Sequence, residues 1–401
     1  MAYLFLPAAS PELVSANARR TRLRRLIAAA RTANPADLPA MASPPAVTSI
    51  GDTITSGLTQ SYGVTTHPAL FTLYGGLPYV YGGTFWRAPA VSRTSGGNVV
   101  ATKDATGARV AFRTDAPSLD VAVVSQGATA GRLRLLIDGQ YADKAGATNS
   151  VNPGTYGTTR FNVAFGSRRW RRIDVEFQQD GGFRGVQVGP GDMVQPVAAA
   201  DRYRIALIGD SISVGEGATR KSDGWAYLAG KRLGGVDLDL VSMSIGGTGY
   251  VAAGTGGALR FGDRLDDLLA YGTGGVDEVW FAGGANDQGQ AAATITANAL
   301  ACLRGARTRL PSAPIIMFGG FVGGQGWTVA RDVETAVKAA FDQFADPNSG
   351  FVPFNLATPP LQNANNYATY MAGATDTTHP PDIGHDYIGS YAAEARRAIA
   401  L

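Results

Sequence analysis

The sequence is short of the residues that most often advertise a metal centre or a covalent framework. It has one cysteine in 401 residues, so an intramolecular disulfide and a multi-cysteine metal site are both excluded. That residue, Cys302, sits in the apolar, helix-like run Ala299-Leu300-Ala301-Cys302-Leu303 and is expected to be a buried core thiol rather than a nucleophile. There are only three histidines, His67, His379 and His385. Charged residues make up 17% and the net charge is +3, with much of the excess in the N-terminal segment. Nucleic-acid binding is therefore not expected of the chain as a whole. No apolar run is long enough to cross a bilayer, which argues against a membrane-spanning protein. No His/Asp/Glu cluster has metal-ligand spacing, and no Gly-Lys-Ser/Thr follows the glycine-rich loops, so neither metal nor phosphate-binding cofactor is expected.

What is present falls into three grammars. Residues 1–45 read as a helical arm and linker. Ser10-Pro11-Glu12 starts a helix, Asn34-Pro35 stops it, and Leu23, Leu26, Ile27 and Ala30 share one face of an arginine-rich stretch. Such a helix docks on its own protein, on a second copy in a homo-oligomer, or on a larger particle, and lacks the aromatic anchors of a membrane-surface helix. The opening Met1-Ala2-Tyr3-Leu4-Phe5-Leu6 has no basic flank and is a poor Sec signal, so the expected location is cytoplasmic or, after lysis, within a released phage-like particle.

Residues 46–197 alternate with period two, as in Val110 and Phe112, Leu133, Leu135 and Ile137, and Ile173, Val175 and Phe177. With turn signals such as Asp138-Gly139 between them, these predict an antiparallel β-sandwich or jelly roll, with Leu73–Trp86 as an edge hairpin or strap. Arg168-Arg169-Trp170-Arg171-Arg172 is either a patch for an acidic glycan or a strand with solvated arginines.

From 198 to 401, five apolar runs without polar alternation are separated by helix-like segments: Arg204–Ile208, Leu238–Met243, Glu278–Ala282, Pro314–Phe318 and Phe351–Asn355. The helices expected between and after them are Trp225–Leu233, Leu259–Tyr271, Ala291–Leu310, Val329–Phe344 and Ile383–Ala400. This is the pattern of a parallel sheet covered on both faces, a three-layer α/β/α fold. Ligands then bind at the carboxyl ends of the strands. Those ends carry Gly209-Asp210-Ser211-Ile212-Ser213, Ser244-Ile245-Gly246-Gly247-Thr248-Gly249 and Gly283-Gly284-Ala285-Asn286-Asp287, and Asp376-Thr377-Thr378-His379-Pro380 precedes the last helix.

Together these four segments resemble the blocks of the SGNH (GDSL-like) hydrolase superfamily, over residues 203–401. The resemblance implies a serine nucleophile, Ser211, a general base, His379, and an orienting carboxylate, Asp376. It also implies an oxyanion hole from the N–H groups of Ser211 and Gly247 and the side-chain amide of Asn286. Family members often carry Asn before the second-block glycine, where this chain has Ser242 and Ser244, so either Gly246 or Gly247 fills that place. A second Asp-x-x-His, Asp382-Ile383-Gly384-His385, follows Pro380-Pro381, a good helix start; His385 is expected on a helix face and His379 in the loop. The physics of the resemblance is coherent: a serine hydroxyl needs a base in hydrogen-bond reach, and the base needs a third group to fix its tautomer. Tyr250 and Trp327 are candidates for stacking on a sugar.

A β-sandwich ahead of such a module is similar to the arrangement in some carbohydrate esterases. The expected activity is removal of O-acetyl groups from a polysaccharide. The alternative is a polysaccharide-binding adhesin or particle spike with weak or no hydrolase activity.

Overall fold

The computed structural model describes residues 21, 23–25, 38–76, 79–87, 107–125, 132–148, 157–177, 181–197, 202–255, 259–271, 275–322 and 327–399. The described residues divide into two compact units, one of residues 38–87 and 107–197, the other of residues 21, 23–25 and 202–399. Of the N-terminal arm, Thr21 and Leu23–Arg25 are helical, and Leu23 is buried in the core cluster of the second unit. The rest of the arm through residue 37 lies outside the described residues.

The first unit is a β-sandwich. One seven-stranded sheet is centred on Thr158–Ala164, Ser118–Ser125 and Gly181–Val188, the other on Arg132–Ile137, Arg171–Phe177 and Arg109–Thr114. Among the described residues every pairing between these strands is antiparallel, as expected of short alternating strands. Phe112 of one sheet and Phe183 of the other stack with centroids 6.4 Å apart, and Phe71 packs edge-on against both. The Asp138-Gly139 turn joins Ile137 to Gln140 with φ of +50° and +83°, the primed geometry that matches strand twist. Tyr79–Tyr81 and Phe85–Arg87 form a hairpin at the edge of the first sheet, whereas Thr72–Tyr74 pairs with Arg109–Thr114 in the second, so the expected edge hairpin covers only the later part of Leu73–Trp86.

Several charged positions of the second sheet are buried as ion pairs, whereas Arg113 is exposed. Asp174 pairs with Arg109 at 3.4 Å and Arg172 at 2.8 Å, and Glu176 with Arg134 at 2.7 Å, all but Arg172 being nearly inaccessible. The arginine cluster is likewise engaged. Arg168 meets Asp115 at 3.0 Å and also Asp192, Arg169 meets Asp138 at 3.1 Å, and Arg171 is held by the carbonyls of Ser167 and Arg169. Arg168 and Arg169 keep more than half of their side chains exposed while paired in this way.

The second unit is built on five parallel strands, β1 (Tyr203–Gly209), β2 (Leu238–Ser242), β3 (Glu278–Ala282), β4 (Ile315–Phe318) and β5 (Ser349–Val352), in the order β2-β1-β3-β4-β5. Its helices are α1 (Ser211–Val214), α2 (Trp225–Gly234), α3 (Ala292–Arg309), α4 (Trp327–Phe344), α5 (Tyr367–Tyr370) and α6 (Asp382–Ala398). Helices α2 and α6 cover one face, where Trp225 stacks on Trp280 (centroids 6.4 Å apart) over Ile205, Leu207 and Phe318. Alternation sends Ala206, Ile208, Val279 and Phe281, all buried, to the other face. The C-terminal end of α6 is tied to the sheet by Arg396, which grips the buried Glu278 through two bonds of 2.7 Å.

One element differs in kind from expectation. Phe261–Tyr271 is a 3₁₀ helix rather than an α-helix. Its buried residues fall in two columns of period three, Phe261/Arg264/Asp267 and Leu265/Leu268/Tyr271. Three residues per turn aligns each column, whereas 3.6 would splay them. Among the described residues, no helix is long and apolar enough to cross a membrane, and no three His, Cys, Asp or Glu side chains gather as metal ligands.

Candidate active site

The site is assembled at the carboxyl edge of the parallel sheet. Strand β1 ends in Gly209, where a Cβ would lie 2.5 Å from the Ser213 side chain and 2.7 Å from the Ala282 carbonyl, so the turn into α1 closes only on glycine. Asp210 caps α1, accepting from the N–H groups of Ile212 (3.0 Å) and Ser213 (3.4 Å), and Ser211 opens the helix.

Asp210 is buried, and burial pushes its carboxyl up to about 6 despite those two N–H donors. The folded pKa is raised, so Asp210 contributes stability fully present below the unfolded value of about 3.9 and lost as pH rises through about 6. The expected result is that the melting temperature of Asp210→Asn gains on that of the natural chain between about pH 4 and 6. A pH-independent difference, read by thermal unfolding, would contradict it.

The loop carrying Asp376 and His379 lies between α5 and α6. Asp376 Oδ1 accepts from the backbone N–H groups of Thr378 and His379, both at 2.7 Å. Its Oδ2 is 2.9 Å from His379 Nδ1, and His379 Nε2 is 2.9 Å from Ser211 Oγ. The imidazole and those N–H groups hold the Asp376 carboxyl down at about 2. An ionised carboxylate can only accept, so Nδ1 carries the proton and Nε2 presents its lone pair to the serine hydroxyl. This arrangement can draw a proton from Ser211 as it attacks an electrophile.

The competing histidine is elsewhere. His385 has no exposed surface, lies on α6 and takes Trp225 N–H on Nδ1 at 3.2 Å, with Nε2 2.8 Å from the Glu216 carbonyl. Burial pulls its pKa down to about 4.

On the other side, the loop after β2 passes through Gly247 at φ +76°, a left-handed conformation that Gly246 does not adopt. Asn286 donates one amide proton to Thr248 O at 2.9 Å, which anchors that loop and leaves its second amide proton available. Two further residues fix the same loop. Asp287, fully buried, accepts from the N–H groups of Tyr250, Val251 and Ala252 at 2.8–3.0 Å. Arg264, also buried, donates to the carbonyls of Met243 and Gly209 and to Thr248 Oγ1, so one guanidinium joins the ends of β1 and β2 to this loop. Sequence alone reveals neither role; Asp287 directly follows Asn286, whereas Arg264 shows only as one of two charged residues in the column Phe261/Arg264/Asp267.

Tyr250 is corrected as a sugar-stacking residue: it is 1% exposed, with its ring edge-on against Phe261 at 4.8 Å, because its own N–H is tied down by Asp287. Trp327 opens α4, and its side chain lies outside the described residues.

Residues 207–387 match the family model of the GDSL-like lipase/acylhydrolases, so this part of the chain is a domain of that family. No curated protein matches the sequence. Among solved structures, the chain is similar to a salicylyl-acyltransferase from a tetracycline biosynthetic pathway, with 18% identity, a TM-score of 0.63, and 86% of this chain and 98% of the other covered. A family two carbohydrate esterase from Cellvibrio japonicus gives 11% identity, a TM-score of 0.60, and 88% and 98% coverage. An acetyl xylan esterase from Butyrivibrio proteoclasticus gives 15%, 0.56, and 84% and 98%. At these identities the likeness is one of fold, and it extends over most of the chain rather than the GDSL-like domain alone.

Proposed function

We propose that the GDSL-like domain is a serine esterase that removes O-acetyl groups from a polysaccharide, with Ser211 as nucleophile, His379 as general base and Asp376 as the carboxylate orienting it. The observation that carries this reading is the unbroken line Asp376 Oδ2–His379–Ser211 Oγ, both links 2.9 Å. In the first half-reaction Ser211 Oγ bonds to the acyl carbon while its proton passes to His379 Nε2. The tetrahedral oxyanion is met by the N–H groups of Ser211 and Gly247 and the second amide proton of Asn286. Collapse breaks the ester C–O bond, and His379 returns the proton to the leaving sugar hydroxyl. Water, deprotonated by the same imidazole, then releases acetate and frees Ser211.

The carbohydrate part of the reading is supported by the β-sandwich ahead of the catalytic domain, an order of parts shared with the carbohydrate esterase and acetyl xylan esterase folds. Its test is acetate release from a panel of O-acetylated polysaccharides by the full chain, with p-nitrophenyl acetate as control. The expected result is release from at least one polysaccharide, abolished by Ser211→Ala. Turnover of the activated ester with no acetate from any glycan would overturn the substrate class; glycan binding without turnover of either would favour an adhesin.

A further inference from the structure

The line from Asp376 to Ser211 leaves one geometric requirement unmet. Asp376 and His379 belong to one loop, so their mutual hydrogen bonds fix how the imidazole is turned but not how far it stands from Ser211, 168 residues away in sequence. Reach between nucleophile and base must be held to a fraction of an ångström, since a misplacement of about 1 Å costs on the order of 100-fold in rate. Some contact between the chain following Ser211 and the chain following His379 has to supply that constraint.

We propose, building on the esterase reading above, that the second Asp-x-x-His pair, Asp382 and His385, is a positioning clamp that sets the Ser211–His379 distance. The chain leaving α1 meets the start of α6 at four points. Asp382 Oδ1 accepts from Thr219 N–H at 2.7 Å. His385 Nε2 lies 2.8 Å from the Glu216 carbonyl, and its Nδ1 accepts from Trp225 N–H at 3.2 Å. Gly217, at φ +89°, approaches so closely that a Cβ would stand 2.3 Å from the Pro380 carbonyl and 3.0 Å from the His379 Cβ.

The first three contacts pair a side chain of α6 with backbone of the nucleophile's loop, so they define a distance without depending on the rotamers of that loop. His385 uses both ring nitrogens, one as donor and one as acceptor, which requires the neutral imidazole. Its burial keeps it in that form across neutral pH, with Asp382, Lys221 and His379 the charged or titratable groups acting on it. Gly217 then lets the two backbones close to contact. Any buried histidine must satisfy both ring nitrogens; what ties this one to the nucleophile's loop is that Asp382, at the start of the same helix, bonds that loop as well.

The test compares Asp382→Ala, Asp382→Asn and His385→Phe with the natural full-length chain, using p-nitrophenyl acetate kinetics, the rate of Ser211 phosphonylation by a fluorophosphonate, and thermal unfolding. Asp382 is exposed, so its alanine variant is expected to fold. The expected result is kcat and phosphonylation both reduced, by about 10-fold in Asp382→Ala and on the order of 100-fold in His385→Phe, with KM within about twofold. Asp382→Asn keeps an acceptor for Thr219 N–H and should recover most of the loss. Folded Asp382→Ala with unaltered kcat and labelling rate overturns the clamp, as does a lowered melting temperature with full turnover per folded molecule. Should His385→Phe fail to fold, the two Asp382 variants decide alone. Ser211→Ala run alongside separates the levels: inactive Ser211→Ala with fully active Asp382→Ala sinks the clamp only, whereas active Ser211→Ala sinks the esterase reading and the clamp with it.

Discussion

Replacing Ser211 with alanine should lower kcat on an activated ester by a factor on the order of 10⁴ or more, with the fold left intact. The size follows from the mechanism: without Oγ no acyl-enzyme forms, and what remains is water attack assisted by the oxyanion donors. The fold should survive because Ser211 is only half-buried in the first turn of α1, and its hydroxyl bonds His379 rather than any packed element. The cap belongs to Asp210 and the contact with β3 to Ser213, whose Oγ donates to the Ala282 carbonyl at 3.1 Å. A stability change within about 0.5 kcal/mol is expected, as for a surface substitution that touches no cap or core. Near-native turnover by a homogeneous Ser211→Ala preparation would end the serine mechanism, while an inactive variant that has also lost its melting transition would leave the nucleophile and a structural role confounded. Circular dichroism melting beside the kinetics separates them.

How much of this was legible in sequence depended on whether the physics is local. The five parallel strands announce themselves because a strand buried on both faces must be apolar throughout, and Ile205–Ile208 and Val279–Ala282 are. Strand β5 is the weak case: Phe351–Asn355 was expected, but the strand is Ser349–Val352, and Phe354 and Asn355 belong to the loop held by Glu334, which accepts from the N–H groups of both at 2.7 Å. The two Asp-x-x-His pairs were separable because a proline pair between them starts a helix, and helix position decides which histidine is free to face Ser211. Asp138-Gly139 was readable because a two-residue turn needs positive φ at both positions.

Non-local charge compensation was not readable. The cluster Arg168–Arg172 shows only its own charge in sequence; Asp115, Asp138, Asp174 and Asp192, which neutralise it, lie 2 to 53 positions away. Tyr250 fails for a similar reason, since nothing nearby reveals that Asp287, 37 residues on, pins its backbone beneath the loop. Arg264 is the extreme case. Beside Asp267 it reads as part of a solvated face, and its burial is explained only when the strand ends whose carbonyls it satisfies are brought together by the sheet.

The second large effect concerns the base. His379→Ala should cost about as much as losing Ser211, because in the proposed mechanism the two act as a unit and Ser211 without a proton acceptor is an ordinary alcohol. Asp376→Asn should be milder. In a buried triad the amide swap costs on the order of 10⁴ by inverting the tautomer. Here the Asp376 side chain is 49% exposed, so water can take up the Nδ1 proton that the amide fails to accept, and a loss of about 10- to 1,000-fold is expected.

The pH dependence gives an independent check. The Asp376 carboxyl is depressed to about 2, chiefly by its hydrogen bond to His379, so its contribution to stability is present above the unfolded value of about 3.9 and is lost as pH falls through about 2. Any fall in kcat/KM at pH above about 4 therefore belongs to a group other than Asp376, and the Asn variant should keep an acid limb at reduced height, moved to lower pH by the loss of the neighbouring charge. A limb that disappears in Asp376→Asn would mean that the carboxylate itself titrates there, contrary to its hydrogen bonding. If His379→Ala keeps more than a few per cent of turnover, the 2.9 Å contact with Ser211 is not the route by which the serine loses its proton. His385, buried and committed through both ring nitrogens, could take over that role only by breaking its bonds to Glu216 and Trp225.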